Sequence, residues 1–235
     1  MAGTAEAAGA VAVVVPAYMA EATIADVIAR TRAAAPKATL YVVDDGSGDR
    51  TMVAAGDAGA CVLAHGRNLG KGAALATGIG RALADGAGVV VTLDADGQHP
   101  PEAIPQVVAP VRDGAADLVL GARARAGAMP WGRRCTNWLS AALASRLAHD
   151  GVADAQTGFR AFSRAVASAV RPAERRYDYE TAFLLGALAA GFRVRSVAIP
   201  TIYSGAASHF RPWGDTWRLA RVFLRYRHGI LHGHP

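Results

Sequence analysis

Five short apolar runs punctuate the first half of the chain: Val11–Val15, Thr39–Val43, Ala60–Ala64, Gly88–Leu93 and Asp117–Leu120. Each is nearly continuous rather than alternating, the pattern of parallel strands covered on both faces. Between them lie Ala-rich stretches, Thr23–Ala35, Asp49–Ala58, Gly70–Ala84 and Glu102–Arg112, whose lengths suit helices. Strand–helix alternation predicts an open α/β sheet, mostly parallel, flanked by helices, with ligands at the carboxyl ends of its strands. The second half reads differently. Trp131–His149, Tyr179–Ala190 and Asp215–Arg227 read as helices, Ala155–Phe162 as a turn with a short strand, and Arg193–Ile199 as a strand. No repeat or low-complexity linker divides the 235 residues, so one domain is expected, with residues 1–121 and 122–235 as its halves.

Composition narrows the class. At 52% hydrophobic and 19% charged, the chain buries a sizeable core and is not disordered. Charge-free runs such as Thr181–Phe192 fall short of the roughly 20 residues a membrane helix needs. Met1–Ala10 carries no Lys or Arg, and Cys61 and Cys135 form neither a metal spacing nor a disulfide framework, so a cytoplasmic protein is expected. The net charge of +6 is segregated. Residues 1–120 hold eight Lys/Arg against thirteen Asp/Glu, and residues 121–235 hold seventeen against six. Only Lys37 and Lys71 are lysines. Arginine suits bidentate phosphate contacts. A coding bias toward Ala, Gly and Arg explains the preference equally well, but not the segregation.

Two acidic segments follow apolar runs. In Leu93-Asp94-Ala95-Asp96-Gly97-Gln98-His99-Pro100-Pro101, an extended chain would point Asp94, Asp96 and Gln98 the same way. Three oxygen donors suit Mg²⁺ or Mn²⁺ with positions left for a diphosphate; the alternative is an acidic helix-capping turn. In Tyr41-Val-Val-Asp44-Asp45-Gly46-Ser47, the adjacent carboxylates face opposite ways. One suits a nucleobase or ribose while the other orders the turn, or both belong to an Asx-turn. Asn68-Leu-Gly70-Lys71-Gly72 is not a Walker A loop, since Gly72 stands where Ser or Thr is needed, and no GxGxxG follows a strand. A helix N-terminus carrying Lys71 still suits a diphosphate.

Together with Pro16-Ala-Tyr18, Gly121-Ala-Arg123 and Asp154-Ala-Gln-Thr157-Gly158-Phe159-Arg160, these segments resemble family-2 inverting glycosyltransferases. Within them the likeness is closest to polyprenyl-phosphate sugar synthases of the dolichol-phosphate mannosyltransferase type, in order from Val11 to about Tyr203. The resemblance implies a GT-A type, Rossmann-like fold and a nucleoside-diphosphate hexose donor, GDP- or UDP-linked. It places Pro16, Tyr18, Val43 and Asp45 at the base and ribose, with Lys71, Ala95 and Arg123 also on the donor. It assigns Asp94, Asp96 and Gln98 to the cation and Asp154 to the role of base, with Asp96 and Arg123 beside the reaction. One departure is plain: the family's Asn-Glu after Pro-x-Tyr is Met19-Ala20 here, so the carboxylate contact to the nucleotide is either lost or supplied by Glu21, one residue late.

The same likeness puts the acceptor against Arg133, Arg134, Glu180, Ser208, His209 and Arg211. A polyprenyl phosphate is the expected acceptor, and a soluble hydroxyl compound the alternative. Glu180 also reads as a helix cap. In Asp215–Arg227, Arg218, Arg221 and Arg225 share one face of a basic amphipathic helix suited to peripheral contact with a membrane surface; an ordinary buried helix or a dimer contact is the alternative. A basic half permits nucleic-acid binding, but no nucleic-acid module is recognisable, and no such partner is expected.

Overall fold

The computed structural model describes residues 9–123, 157–176 and 178–200. In chain order they form β1 (Val11–Ala17), α1 (Ile24–Ala34), β2 (Thr39–Asp44), α2 (Thr51–Asp57), β3 (Cys61–Ala64), α3 (Lys71–Ala84) and β4 (Val89–Thr92). A 3₁₀ turn at Pro101–Ala103 then leads into α4 (Ile104–Arg112) and β5 (Leu118–Arg123). After these come β6 (Arg160–Ser163), α5 (Arg164–Ala169), α6 (Tyr179–Ala189) and β7 (Val194–Ile199). The expected strands and helices of the first half are all present, with ends displaced by up to three residues. The helices read at Trp131–His149 and Asp215–Arg227 lie outside the described residues.

The strands make one seven-stranded sheet in the order β3-β2-β1-β4-β6-β5-β7. All pairings are parallel except those of β6, which runs against both neighbours. Neither its direction nor α5 is evident in the sequence. A four-residue strand carries no directional signal, and six residues make too short a helix for periodicity. The local sign of α5 is Ser163, whose side chain accepts from Val166 N at 3.4 Å as an N-cap. The reversal of β6 matters for the site: it sets Arg160 opposite Thr92, so the start of β6 meets the end of β4.

Continuous apolar runs are needed because both sheet faces are covered. On one face Val11, Val13 and Val15 meet Ile24, Val27 and Ile28 of α1 and Ile104 and Val107 of α4. On the other, Val14 and Val43 meet Leu75 and Ile79 of α3, Val166 of α5 and Phe183 and Leu184 of α6. Burying each such side chain contributes roughly 1.5–3 kcal/mol before chain entropy is counted. Phe162 of β6 and Phe183 of α6 pack with their rings tilted at 49° and centroids 4.8 Å apart, joining the reversed strand to its covering helix.

At the far end of α3, the Tyr41 hydroxyl donates to Asp85 Oδ2 at 2.5 Å, and Arg81 Nε reaches the same oxygen at 2.7 Å. Burial, and then the adjacent Asp85 carboxylate, push the Tyr41 phenol up from 10.0 to about 12. A folded-state value above the unfolded one stabilises the protein fully below pH 10, and that contribution is lost as pH rises toward 12. Tyr41→Phe is therefore expected to lower stability at neutral pH and to flatten its fall above pH 10. Urea unfolding at intervals between pH 8 and 11 measures this; equal alkaline slopes in both proteins contradict it.

Candidate active site

The β1–β2 ladder runs on to Ala17 opposite Asp44, whereas the β1–β4 ladder stops at Val14 opposite Thr92. The chain moves outward from β1 through β2 to β3 and then crosses to β4 on the other side. A crevice opens at this switch point beyond the carboxyl ends, the place where open α/β sheets take ligands. Val14 O accepts from Leu93 N at 3.1 Å, so Pro16, two residues on, faces the same side but past the ladder's end. Its missing N–H breaks no sheet bond there.

Hydrogen bonds lace the loops around the crevice. Met19 N donates to Ser47 Oγ at 2.9 Å, Ala20 N to Thr51 Oγ1 at 2.7 Å, and Thr23 Oγ1 to Ala95 O at 2.7 Å. The loops after β1, β2 and β4 therefore hold one another. Tyr18 and Met19 stand exposed on the rim, and Met19 is held at φ 53°, an uncommon conformation for a non-glycine residue.

Several residues assigned to the donor from the sequence have other engagements. Asp45 is 3% exposed; its Oδ1 accepts from Leu69 N at 2.9 Å and meets His65 Nδ1 at 2.7 Å, while Oδ2 accepts from Gly70 N at 2.8 Å. Its carboxylate thus anchors the loop that precedes α3. The Val43 side chain is wholly buried against α3 and is core, because β2 is covered on that face. Glu21 Oε2 accepts from Arg50 N at 2.9 Å at the start of α2, so the displaced carboxylate ties two loops together. Ala95 is buried and its carbonyl is used by Thr23.

The acidic segment after β4 is not extended. β4 ends at Thr92, Ala95 and Asp96 form a turn, and Gly97 takes φ 70°, which removes the strand alternation expected to align Asp94, Asp96 and Gln98. Asp96 is exposed at the turn, and its Oδ1 accepts from Gln98 N at 2.9 Å. Asp94 points into a charged cluster. Its Oδ1 lies 2.7 Å from Lys71 Nζ and its Oδ2 lies 3.8 Å from Nδ1 of the buried His99. A Cβ on Gly158 would fall 2.4 Å from Asp94 Oδ1, so only glycine lets the carboxylate lie this close.

Lys71 Nζ also lies 2.6 Å from Glu180 Oε1. Desolvation disfavours its charge, yet the fields and hydrogen bonds of Asp94 and Glu180 together hold the ammonium above its ordinary value. Lys71, expected on a diphosphate, instead bridges two carboxylates. Glu180, expected at the acceptor, is 5% exposed and spends its side chain on Lys71. Arg160 locks the arrangement by donating from Nη1 to Glu180 O at 2.6 Å and from Nε to Thr157 O at 2.8 Å. Thr92 Oγ1 donates to Gly158 O at 2.8 Å, tying the same turn to β4.

Two carboxylates and an amide oxygen in one turn have the donor chemistry of a hard divalent cation. Among the described residues no three His, Cys, Asp or Glu side chains gather as a ligand set, so such an ion here needs the Gln98 amide or oxygens of a bound ligand. Arg123 ends β5, paired with Ile199 of β7. Asp154, Arg133, Arg134, Ser208, His209 and Arg211 lie outside the described residues. Sequence reasoning missed His65, His99 and Arg160 as members of the site network. Arg160 and His99 were legible only as parts of motifs, and His65 stands alone in sequence, twenty residues from its partner Asp45.

Residues 12–171 match the family model described as Glycosyl transferase family 2. An uncharacterised protein of Methanocaldococcus jannaschii is 34% identical over 198 residues, covering 82% of this chain and 81% of its own. Polyprenol monophosphomannose synthase of Mycolicibacterium smegmatis is 31% identical over 66% of this chain, which spans 62% of that enzyme's length. Glucosyl-3-phosphoglycerate synthase of Mycobacterium tuberculosis, in a crystal structure with Mn²⁺, uridine-diphosphate and phosphoglyceric acid, superposes with a TM-score of 0.74. That likeness, at 25% identity, covers 94% of this chain and 80% of the other, and the sheet is that of a GT-A fold.

The Asp45 anchor is directly testable. Asp45→Asn turns one acceptor oxygen into an amide donor facing backbone N–H groups or His65, and is expected to cost about 1–3 kcal/mol of stability. Hydrogen exchange at Leu69 and Gly70 should accelerate in step. Unchanged protection at both amides would show that the carboxylate does not hold the loop.

Proposed function

We propose that this chain, which belongs to glycosyl transferase family 2, is a metal-dependent inverting glycosyltransferase moving a hexose from a nucleoside-diphosphate sugar to a polyprenyl phosphate. The observation that carries this reading is the Asp94–Gln98 turn at the β1–β4 crevice, with Pro16, Tyr18 and Met19 across it. The Mycolicibacterium relative is named as a polyprenol monophosphomannose synthase, and the Mycobacterium neighbour was crystallised with Mn²⁺ and uridine-diphosphate. The first supports a polyprenyl phosphate acceptor, and the second a nucleoside-diphosphate donor and a divalent ion.

In this reading Asp94, Asp96 and Gln98 would hold Mg²⁺ or Mn²⁺. When bound, the ion neutralises charge that builds on the diphosphate as the glycosidic bond breaks. Tyr18 and Pro16 bound the nucleoside side of the crevice, and Arg123 supplies a fixed positive charge to the diphosphate. Asp154 serves as base where the acceptor needs one. A phosphate monoester is already anionic near neutral pH, so a polyprenyl phosphate attacks with little help, whereas a hydroxyl gains about 10²–10⁴-fold from proton removal.

Arg133, Arg134, Ser208, His209 and Arg211 contact the acceptor phosphate in this proposal. Among the described residues no helix is long and apolar enough to cross a membrane. The basic segment 215–227 would meet the membrane surface peripherally. A second reading keeps the donor site and replaces the lipid with a soluble acceptor. It draws on the fold likeness to a synthase crystallised with phosphoglyceric acid.

Incubation with Mn²⁺, a radiolabelled UDP- or GDP-hexose and a polyprenyl phosphate is expected to move label into chloroform. Asp96→Ala should reduce this on the order of 10²-fold. Label appearing only on a water-soluble phosphate acceptor selects the second reading. Turnover unaffected by chelators and by Asp96→Ala removes the metal from both.

A further inference from the structure

Only two of the 25 basic residues in this chain are lysines, and one of them, Lys71, is half-buried between two carboxylates. Its ammonium lies within hydrogen-bond distance of Asp94 Oδ1 and Glu180 Oε1 at once. A compact point charge on a flexible stem shifts its weight between two such oxygens, whereas a planar guanidinium is committed to a fixed fork. Asp94 belongs to the acidic turn assigned above to a divalent ion. Ammonium and ion therefore require the same carboxylate.

We propose that Lys71 is a stand-in cation: it neutralises Asp94 while the divalent ion is absent and moves its weight onto Glu180 when the ion binds, thereby setting the metal affinity of the site. This rests on the metal-dependent reading above. The structure supplies both seats. Gly70 and Gly72 bring the start of α3 onto the backbone of Arg175 and the Cβ of Tyr179, approaches that any larger residue would block. Ala73 N donates to Arg175 O at 3.2 Å, and Arg160 clamps the Glu180 carbonyl. Glu180 is thus held next to Lys71 by backbone contacts independent of Asp94, and its carboxylate remains as the second seat. Lys71 and Glu180 act here as positioning residues, touching neither substrate.

Competition predicts effects of opposite sign. Lys71→Met removes the ammonium that Asp94 and Glu180 share and should tighten Mn²⁺ binding to the nucleotide-free protein about tenfold or more, since removing a unit charge a few ångströms away is worth over 1 kcal/mol at protein dielectric. Glu180→Gln confines Lys71 to Asp94 and should weaken Mn²⁺ binding several-fold. A lysine with a merely structural role would lower affinity in both variants. The measurement is Mn²⁺ titration followed by electron paramagnetic resonance, with and without UDP or GDP, alongside thermal melting to confirm folding.

Should Lys71→Met fail to fold, the comparison passes to Lys71→Met/Glu180→Gln against Glu180→Gln, where the double variant should bind Mn²⁺ more tightly. Equal or weaker binding on loss of Lys71, in a wild-type background that does bind Mn²⁺, overturns the stand-in role and leaves the metal reading intact. Absence of Mn²⁺ binding in every folded protein, even with nucleotide, overturns the metal reading and this inference together.

Discussion

One ammonium group ties the site together. Lys71 joins the end of β4 to the start of α6 from its own place at the start of α3, so three elements distant in sequence share a single charge. Such an arrangement is costly to break. Removing the ammonium leaves the buried Glu180 carboxylate without the cation that offsets its desolvation. Here the ammonium has two carboxylates, and Arg160 fixes the backbone of one of them. The cluster exists because glycines at 70, 72 and 158 permit contacts that a side chain would prevent. Small residues, rather than the charged ones alone, determine where the charges meet.

The reversed strand gives the cluster its second support. With β6 antiparallel to β4, the Thr157–Arg160 turn arrives at the carboxyl end of β4 rather than at the opposite edge. Thr92 and Arg160 face each other, Thr92 bonds the Gly158 carbonyl, and Phe159 sits 5.8 Å from the His99 ring. A wholly parallel sheet would have needed a long crossover to deliver the same turn. Two motifs separated by some sixty residues become one wall of the crevice through a change in strand direction.

The first-half fold was legible because strands buried on both faces leave unbroken apolar runs, and a single core class explains Val11–Val15, Thr39–Val43 and Gly88–Leu93 alike. Strand direction was not legible, since Arg160–Ser163 would read the same either way. For the site, the sequence marks the motif positions, and the structure adds the contacts those side chains make within the protein. The sequence marks Asp45, Glu21, Lys71 and Glu180 as groups for ligands, and the structure shows the partner that each has within the protein. Sequence identifies a carboxylate at a strand end; it does not reveal that backbone N–H groups of Leu69 and Gly70 already fill it. The alternation argument for Asp94, Asp96 and Gln98 failed for a related reason: Gly97 bends the chain where the pattern assumed it ran straight.

Pro16 has a further consequence. Neighbouring parallel strands tend to keep zipping for as long as each offers the other a donor, and a crevice between two carboxyl ends is always at risk of closing by one more rung. β1 presents an imide nitrogen to the β4 side at the first position past Thr92, where that rung would form. The gap is therefore kept open by covalent chemistry, whether or not anything fills it.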